Sequence, residues 1–314
     1  MPTAAKPVYR FGLSVQILLF VPGLWPAIEA EAQQTVAQGE TPDSVQYSPG
    51  VQTYRQGPWL DEEAPGLSPK IFAPGLISTA GHYEMDLTFT RDGRECFVGR
   101  DGRMLVSRWE DEGWTSPEEA PFRFREYGAM ALTTVDGSRM ILSGRAGLAV
   151  SKKTEGAWTD PVVFMQGMGM SITDDGTVYT SWIHEPSGEW RLYRSRYVAD
   201  RYTEPEEVPL SLYSEAAEVR LRSGATHPQI APDESFVLFE SRLAGGYGDT
   251  EYYISFRKSD GTWGEPVNLG AEINSSDQNA RARLSPDGRY LFFNRYGDIY
   301  WVSAAYLERF RRED

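Results

Sequence analysis

The chain has 314 residues, 13% of them aromatic, with 30 glycines and 20 prolines, a composition that favours many short strands joined by tight turns over a helical bundle. Its 45 acidic and 31 basic residues give a formal charge of −14, which disfavours nucleic acid and anionic membrane surfaces as partners. The single cysteine, Cys96, excludes an internal disulfide and is predicted to be a small buried side chain in a strand.

The first 32 residues have the layout of a secretory signal peptide. Lys6 and Arg10 form a positively charged start, residues 11–20 are apolar, and Ala-Glu-Ala at 30–32 offers a small-x-small cleavage site. The apolar stretch is short for a membrane anchor and is followed by prolines, and no cysteine comes after it to carry a lipid. Removal of residues 1–32 would leave a periplasmic or secreted protein with no membrane span.

Residues 33–64 are rich in Gln, Ser, Pro and Glu and have no periodic apolar pattern. This composition predicts a flexible linker. The folded domain is therefore expected at 65–314, and it should end in a short amphipathic helix that packs through Tyr306, Leu307 and Phe310.

A single pattern recurs five times in the domain, which is the sequence signature of a repeat architecture. Each copy contains a strand that ends in an Asp-Gly-type turn, a second apolar or aromatic strand, a glycine-containing turn and a third strand. Four copies then close on an aromatic-x-x-Pro segment. The turn aspartates are Asp92, Asp136, Asp175, Asp233 and Asp287, and the closing aromatic residues are Trp114, Trp158, Tyr202 and Trp263.

The spacing of these copies predicts an all-β propeller made of four-stranded blades. Asp-Gly supplies the backbone conformation that a tight hairpin needs. Proline is tolerated in the outermost strand of a blade because that strand is an edge. The closing tryptophans, such as Trp263, are expected to fill the space between neighbouring blades.

The order of the strands indicates how the ring closes. The chain enters the repeats with an outer-strand segment near 69–76 and leaves them after a third strand at 300–303, so the first segment can complete the last blade. Five blades are counted. A sixth blade is possible only if the linker supplies further strands, and the composition of the linker argues against that.

The segment Ser-Pro-Asp-Gly-Arg-Tyr-Leu-Phe-Phe at 285–293, followed by Asp-Ile-Tyr at 298–300, resembles the Pro-Asp repeat of TolB-like, WD40-like bacterial propellers. The segment at 263–270 resembles the same repeat. The resemblance covers roughly 65–303 and implies an exported bacterial propeller that serves as a binding or assembly module, commonly with six blades. The repeat residues are structural in this family, so no active site carries over from it.

In a propeller the first strand of each blade lines the central channel, and the start of that strand faces one mouth. The residues at this position are polar or aromatic, which suits a pocket for a small ligand or a glycan, although a solvated rim without a ligand would have the same composition. The predicted ligand-binding residues are His82, Tyr83, Glu84, Glu126, Tyr127, His227, Asn279 and Arg281. Further residues expected on this rim are Met168, Met170 and Gln278.

Four arginines recur at the second hairpin of the repeat, namely Arg100, Arg145, Arg242 and Arg295. Converging arginines would suit a carboxylate ligand. Their recurrence at one position of the blade favours a repeated structural contact instead.

No metal and no cofactor are predicted. The three histidines, His82, His184 and His227, lack the spacing of metal ligands, although His82 and His227 could meet across the channel. Glycoside hydrolysis needs two carboxylates on either side of the scissile bond. The carboxylates that cluster in sequence are Glu84, Asp86 and Glu126.

Two functions follow from these features. The leading hypothesis is an exported, monomeric, non-catalytic propeller that binds a protein or a glycan at the channel mouth. The alternative is a sialidase-like hydrolase or lyase that processes sugars with channel carboxylates and arginines. A purely structural role is the remaining alternative, and nucleic acid is not expected as a partner in any of these cases.

Overall fold

The computed structural model describes residues 59–110, 113–120, 130–134, 136–144, 146–155, 157–212, 224–243, 250–276, 279 and 281–312. The predicted signal peptide and almost all of the predicted linker lie outside this part of the chain. The described strands, in chain order, are β1 (Lys70–Ile71), β2 (Glu84–Phe89), β3 (Glu95–Arg100), β4 (Arg103–Glu110), β5 (Gly113–Trp114), β6 (Glu118–Glu119), β7 (Met130–Thr133), β8 (Arg139–Gly144), β9 (Gly147–Thr154), β10 (Ala157–Trp158), β11 (Val162–Met165), β12 (Met168–Ile172), β13 (Val178–His184), β14 (Glu189–Ser195), β15 (Tyr197–Val198), β16 (Arg201–Tyr202), β17 (Glu206–Glu207), β18 (Thr226–Ile230), β19 (Phe236–Ser241), β20 (Glu251–Phe256), β21 (Val267–Asn268), β22 (Arg283–Leu284), β23 (Tyr290–Arg295) and β24 (Asp298–Ser303). Two 3₁₀ helices, Trp59–Asp61 and Ala304–Phe310, flank them.

The strands build five four-stranded antiparallel blades. From the channel outward the blades are β2-β3-β4-β6, β7-β8-β9-β11, β12-β13-β14-β17, β18-β19-β20-β21 and β22-β23-β24-β1, numbered here 1 to 5. The short strands β5 and β10 pair with β4 and β9, while β15 and β16 form a separate hairpin. The predicted all-β propeller of four-stranded blades is confirmed, and the described residues form five blades.

The N-terminal strand closes the ring, as predicted. β1 pairs antiparallel with β24, with Lys70 opposite Trp301, and the Phe72 amide donates to the Ile299 carbonyl at 2.8 Å. A segment from the start of the domain thus completes the blade that the end of the domain forms. Blades 5 and 1 are held together by this pairing and by the core beneath it.

Four clusters of the hydrophobic core lie between neighbouring blades. One cluster joins blades 5 and 1 through Phe72, Phe89 and Phe292, and it also contains Trp59 and Leu60. The last two residues precede the predicted domain start at residue 65 and are nevertheless buried. Large aromatic side chains carry most of this cluster, since each of them removes a large apolar area from water.

A second cluster places Trp263 between blades 3 and 4. The same cluster contains Tyr179 and Leu192 of blade 3 and Val237 and Phe239 of blade 4, and only 9% of Trp263 is exposed. The expectation that a closing tryptophan fills the space between blades is confirmed for this residue.

The C-terminal segment Ala304–Phe310 is a 3₁₀ helix, a winding that is common in such short pieces. Tyr306 and Leu307 are buried in the cluster between blades 4 and 5, and Phe310 packs at its edge. The helix therefore contacts the propeller through the three predicted residues. Neither described helix is long and apolar enough to cross a membrane.

Cys96 is fully buried in β3. Burial raises the pKa of its thiol, because an apolar surrounding disfavours the thiolate. The side chain thus has the character of a small core residue, as predicted, and not of a reactive thiol.

The Asp-Gly turns share a hydrogen-bond pattern that explains their recurrence. In blade 3 the Thr173 hydroxyl donates to the Asp175 carboxylate at 2.5 Å, and the same carboxylate accepts the Thr177 amide at 2.9 Å. A short polar side chain that bonds to the backbone two residues on stabilises a turn. The equivalent hydroxyl–aspartate pairs are Thr90–Asp92, Thr134–Asp136 and Ser285–Asp287.

We expect Asp175→Ala to lower the free energy of unfolding by about 1–2 kcal/mol at pH 7, because hydrogen bonds to a charged acceptor are lost. Burial opposes ionisation, but the hydrogen bonds from Thr173 and Thr177 hold the pKa of Asp175 below its ordinary value. A depressed folded-state pKa contributes stability that is complete above the ordinary pKa of about 3.9 and is lost as pH falls through the folded pKa. In urea denaturation the difference between variant and parent should therefore narrow from pH 7 to pH 3.

The control for this prediction is Asp160→Ala, which removes an exposed aspartate outside the turns. Its effect at pH 7 should stay within about 0.5 kcal/mol. Equal losses at the two positions, or a loss for Asp175→Ala that does not change with pH, would contradict the assigned role of the turn carboxylate.

The aromatic-x-x-Pro segments share a second contact. The Ser107 hydroxyl donates to the Thr115 carbonyl at 2.6 Å, and the Thr115 hydroxyl accepts the Arg108 amide at 2.9 Å. Both bonds recur in the next two blades, at Ser151–Thr159 and Ser195–Thr203. The residue after each of these aromatic side chains thus ties the outer segment to the third strand of its blade.

Candidate functional site

The inner strands β2, β7, β12, β18 and β22 define the two mouths of the channel. Their carboxyl ends meet around a cavity of about 50 Å³ to which all five blades contribute, at Thr88, Thr133, Ser171, Gln229 and Ser285 among other residues. We call this end the lower mouth and the opposite end, where the inner strands begin, the upper mouth. The lower cavity has room for only a few water molecules.

At the upper mouth, one buried carboxylate joins two of the predicted residues. Only 4% of the Glu240 side chain, in β19, is exposed. Its Oε2 accepts a hydrogen bond from His227 Nδ1 at 2.9 Å, and its Oε1 accepts the backbone amide of Arg281. Because an ionised carboxylate can only accept, Nδ1 carries a proton in this pair, and Nε2 is the ring nitrogen that is not bonded to Glu240.

Polar atoms on both sides of Glu240 are buried without a hydrogen-bond partner among the described residues. They are Nε2 of His227 and the guanidinium atoms Nε and Nη1 of Arg281. The ion pairs of the described residues do not include the Arg281 guanidinium. Buried polar atoms are nearly always satisfied in folded proteins, so these atoms call for an explanation.

Strained backbone holds the same two residues in place. His227 has a φ of 46° and Arg281 a φ of 60°, a left-handed conformation that costs a non-glycine residue roughly 1–2 kcal/mol. Gly169 of β12 lies so close that a Cβ there would come within 2.6 Å of His227 Cα. Such strain persists only where the surrounding structure imposes it, and it concentrates at functional sites.

His82 and Tyr83 contact a different carboxylate. His82 Nδ1 lies 2.5 Å from Asp101 Oδ2, and the Tyr83 amide donates to Asp101 Oδ1 at 2.9 Å. Burial opposes ionisation of this group, yet the hydrogen bonds from His82 and Tyr83 lower the pKa of Asp101. These two predicted residues therefore lie at the upper end of blade 1, bound to the turn between β3 and β4.

Glu84 and Asn279, two further predicted residues, are fully buried and make structural contacts. Glu84 Oε1 accepts hydrogen bonds from Thr79 Oγ1 at 2.7 Å and from Arg100 Nε at 3.1 Å. Asn279 Nδ2 donates to the Thr250 carbonyl at 2.7 Å. Both side chains hold neighbouring segments in place.

The other predicted rim residues contribute less to the site. Glu126, Tyr127 and Gln278 lie outside the described residues. Met170 is fully buried in the cluster between blades 2 and 3. The Met168 carbonyl accepts a hydrogen bond from a serine hydroxyl of β13.

A buried ion pair joins the inner strands of blades 1 and 5. Asp86 Oδ1 lies 3.4 Å from Arg283 Nε, with 4% and 2% of the two side chains exposed. Two opposite charges buried this deeply are tolerated because each compensates the other. Of the carboxylates predicted to cluster, Glu84 and Asp86 thus each pair with a structural arginine.

The recurring arginines contact their own surroundings. Arg100 donates to the Leu76 and Ile77 carbonyls as well as to Glu84, and Arg242 Nε lies 3.4 Å from the Thr250 hydroxyl. Arg295 donates to two backbone carbonyls of the segment before blade 5. Arg145 lies outside the described residues. The three arginines that can be followed therefore make local structural contacts.

Within the described ranges, no group of three or more His, Cys, Asp or Glu side chains is arranged to hold a metal ion. His82 contacts Asp101, whereas His227 contacts Glu240. In the third histidine, His184, Nδ1 lies 2.9 Å from Ser187 Oγ at the β13–β14 turn.

Sequence reasoning did not single out Glu240, although β19 carries a signal. Its sequence, Phe-Val-Leu-Phe-Glu-Ser, places a carboxylate directly after four apolar residues of a central strand. A glutamate in such a strand is almost never buried unless it is paired. The signal predicts a buried, paired Glu240, but it does not name His227 or Arg281 as the partners.

The chain is similar to several solved propeller structures. It matches TolB from Agrobacterium tumefaciens with a TM-score of 0.44 and 14% identity, over 68% of this chain and 70% of that chain. It matches the β-propeller domain of Swd1 from Myceliophteria thermophila with a TM-score of 0.42 and 14% identity, over 69% and 64%. It matches a gluconolactonase from Xanthomonas campestris with a TM-score of 0.42 and 11% identity, over 76% of this chain and 96% of that chain. No protein-family model matches the chain, and no curated protein sequence does.

These likenesses concern the fold. The pairing within the five blades and the closure by β1 establish the propeller from the chain itself. The chain therefore has a β-propeller fold.

Proposed function

We propose that the chain is an exported β-propeller, periplasmic or secreted, that binds a protein or glycan ligand at the upper mouth through His227 and Arg281. The observation that carries this proposal is the set of buried polar atoms without partners on both sides of Glu240. A ligand that satisfies them would recover the free energy that their burial costs, about 1–3 kcal/mol for each group.

Two further features support the upper mouth over the lower one. The strained backbone at His227 and Arg281 is a cost that a ligand-binding role would explain. The lower cavity, by comparison, holds about 50 Å³, and its two arginines, Arg91 and Arg283, are already paired with Asp174 and Asp86.

The test is a screen of the purified chain against immobilised glycans and peptides, followed by the variants His227→Gln and Arg281→Gln. Each variant should weaken binding of the captured ligand by at least about tenfold, the effect of roughly 1.4 kcal/mol. His184→Gln and Arg103→Gln are the matched controls, because they replace the same residue types in the upper turns of other blades and should leave binding unchanged.

The proposal fails if no ligand in the panel shows binding that depends on His227 or Arg281. Thermal unfolding of each variant separates loss of a contact from loss of the fold. A variant that melts with the parent and binds like the parent would exclude its residue from the site.

The second candidate function is a sugar-processing hydrolase or lyase, and the His227–Glu240 pair favours it. A buried carboxylate on Nδ1 orients the ring and leaves Nε2 free to take a proton, which is how a histidine acts as a general base. If a captured glycan is cleaved by the parent and not by His227→Gln, the protein is a sugar-processing enzyme and the non-catalytic binding function is wrong. If the glycan is bound and remains intact over long incubation, the binding function stands.

A further inference from the structure

We infer that the ligand group held at the upper mouth is a carboxylate, carried by an acidic sugar with hydroxyl groups beside it. This inference rests on the proposed function, since it names the chemistry of the same site. It follows from the donor and acceptor character of the atoms around Glu240, from their charges and from the charge of the whole chain.

Arg281 requires an acceptor. Its guanidinium nitrogens can only donate, and two of them are buried without a partner among the described residues. Glu240 does not meet this need, because among the described residues its oxygens contact His227 Nδ1 and the Arg281 backbone amide, and not the Arg281 guanidinium. A carboxylate is the group that best matches a buried guanidinium, since it supplies both the opposite charge and several acceptor positions.

His227 requires a partner at Nε2, which is buried without one among the described residues while Nδ1 is bonded to Glu240. A ligand hydroxyl suits this atom, because it can donate to Nε2 of a neutral ring or accept from Nε2–H of a charged ring. An acidic sugar presents both groups together, a carboxylate for Arg281 and ring hydroxyls for His227. The carboxylate of a peptide C-terminus has no hydroxyl of its own beside it.

The net charge of the chain limits the ligand further. At −14 the protein repels a polyanion at long range. A sugar residue with a single carboxylate suffers little from this repulsion, and one guanidinium is sufficient to compensate it. The favoured ligand is therefore a single uronic-acid-type residue, free or at the end of a glycan.

The experiment compares three nearly isosteric probes on the purified chain, namely D-glucuronate, its methyl ester and D-glucose, by titration calorimetry or saturation-transfer NMR. We expect D-glucuronate to bind at least about tenfold more tightly than either neutral probe. Arg281→Gln should abolish this preference, Arg281→Lys should keep part of it because the charge remains, and the control Arg103→Gln should keep all of it.

Four outcomes separate the inference from the proposed function. If the preference for D-glucuronate is seen in the parent and in Arg281→Lys but not in Arg281→Gln, the inference of a carboxylate ligand is supported. If all three probes bind equally and His227→Gln abolishes this binding, the proposed binding site stands and the inference of a carboxylate ligand is wrong. Binding of peptides with a free C-terminus, lost on amidation and in Arg281→Gln, with no sugar bound, overturns the sugar. Absence of any binding that depends on His227 or Arg281, across these probes and the glycan and peptide panels, overturns both proposals.

Discussion

Phe72→Ala should lower the free energy of unfolding by about 3–5 kcal/mol, the cost of deleting a buried aromatic side chain. Phe72 is fully buried, and its ring centroid lies 4.9 Å from that of Phe292 and 5.1 Å from that of Trp301. It directly follows β1, the strand that completes blade 5, and it also contacts Phe89 of blade 1. The substitution therefore removes packing on both sides of the ring closure.

Ile71→Ala is the matched control, because Ile71 is the preceding residue of the same segment and 40% of it is exposed. Equilibrium urea denaturation should show a loss below about 1 kcal/mol for this variant. Similar losses for Phe72→Ala and Ile71→Ala would mean that backbone pairing of β1, and not the aromatic cluster, holds the ring closed.

Trp263→Ala has the second large expected effect, again about 3–5 kcal/mol. The indole belongs to the buried cluster that contains Leu192 of blade 3 and Phe239 of blade 4, and the Arg257 guanidinium lies over it at 5.6 Å from the ring centroid. Alanine would leave a cavity between two blades that cannot fully collapse, because each blade is a rigid sheet held by its own ladder of hydrogen bonds.

Tyr296→Ala provides the comparison for Trp263→Ala, since it removes an aromatic side chain that is 46% exposed. Chemical denaturation should show a change within about 0.5 kcal/mol for Tyr296→Ala. A loss of that small size for Trp263→Ala would contradict the inter-blade position of the indole.

The repeated turns were predictable because their contacts are local. Thr173 and Asp175 are two residues apart, and Ser107 and Thr115 are eight apart, so each hydrogen-bonded unit is visible as a short motif. The closure by β1 was predictable for another reason. The last copy lacks an outer strand, and the chain begins with an outer-strand segment that can supply it when the ring closes.

The site was predictable only in part. Position before an inner strand selected His227 and Arg281, but the same rule selected Glu84 and Asn279, whose side chains are buried in structural contacts. Position along a strand indicates which end of the channel a residue occupies. It does not indicate whether a nearby arginine or carbonyl group already satisfies that side chain.

From the sequence alone one obtains the all-β propeller, its five copies, the closing order and the inter-blade position of Trp263, because periodic apolar strands and turn chemistry act over a few residues. The pairing of Glu240 with His227 and with the Arg281 amide required the structure in three dimensions. It depends on the register of β18 against β19 and on how blade 4 packs beside the segment leading into blade 5. Whether a polar side chain is satisfied or left for a ligand is set by those long-range contacts, which no local pattern encodes.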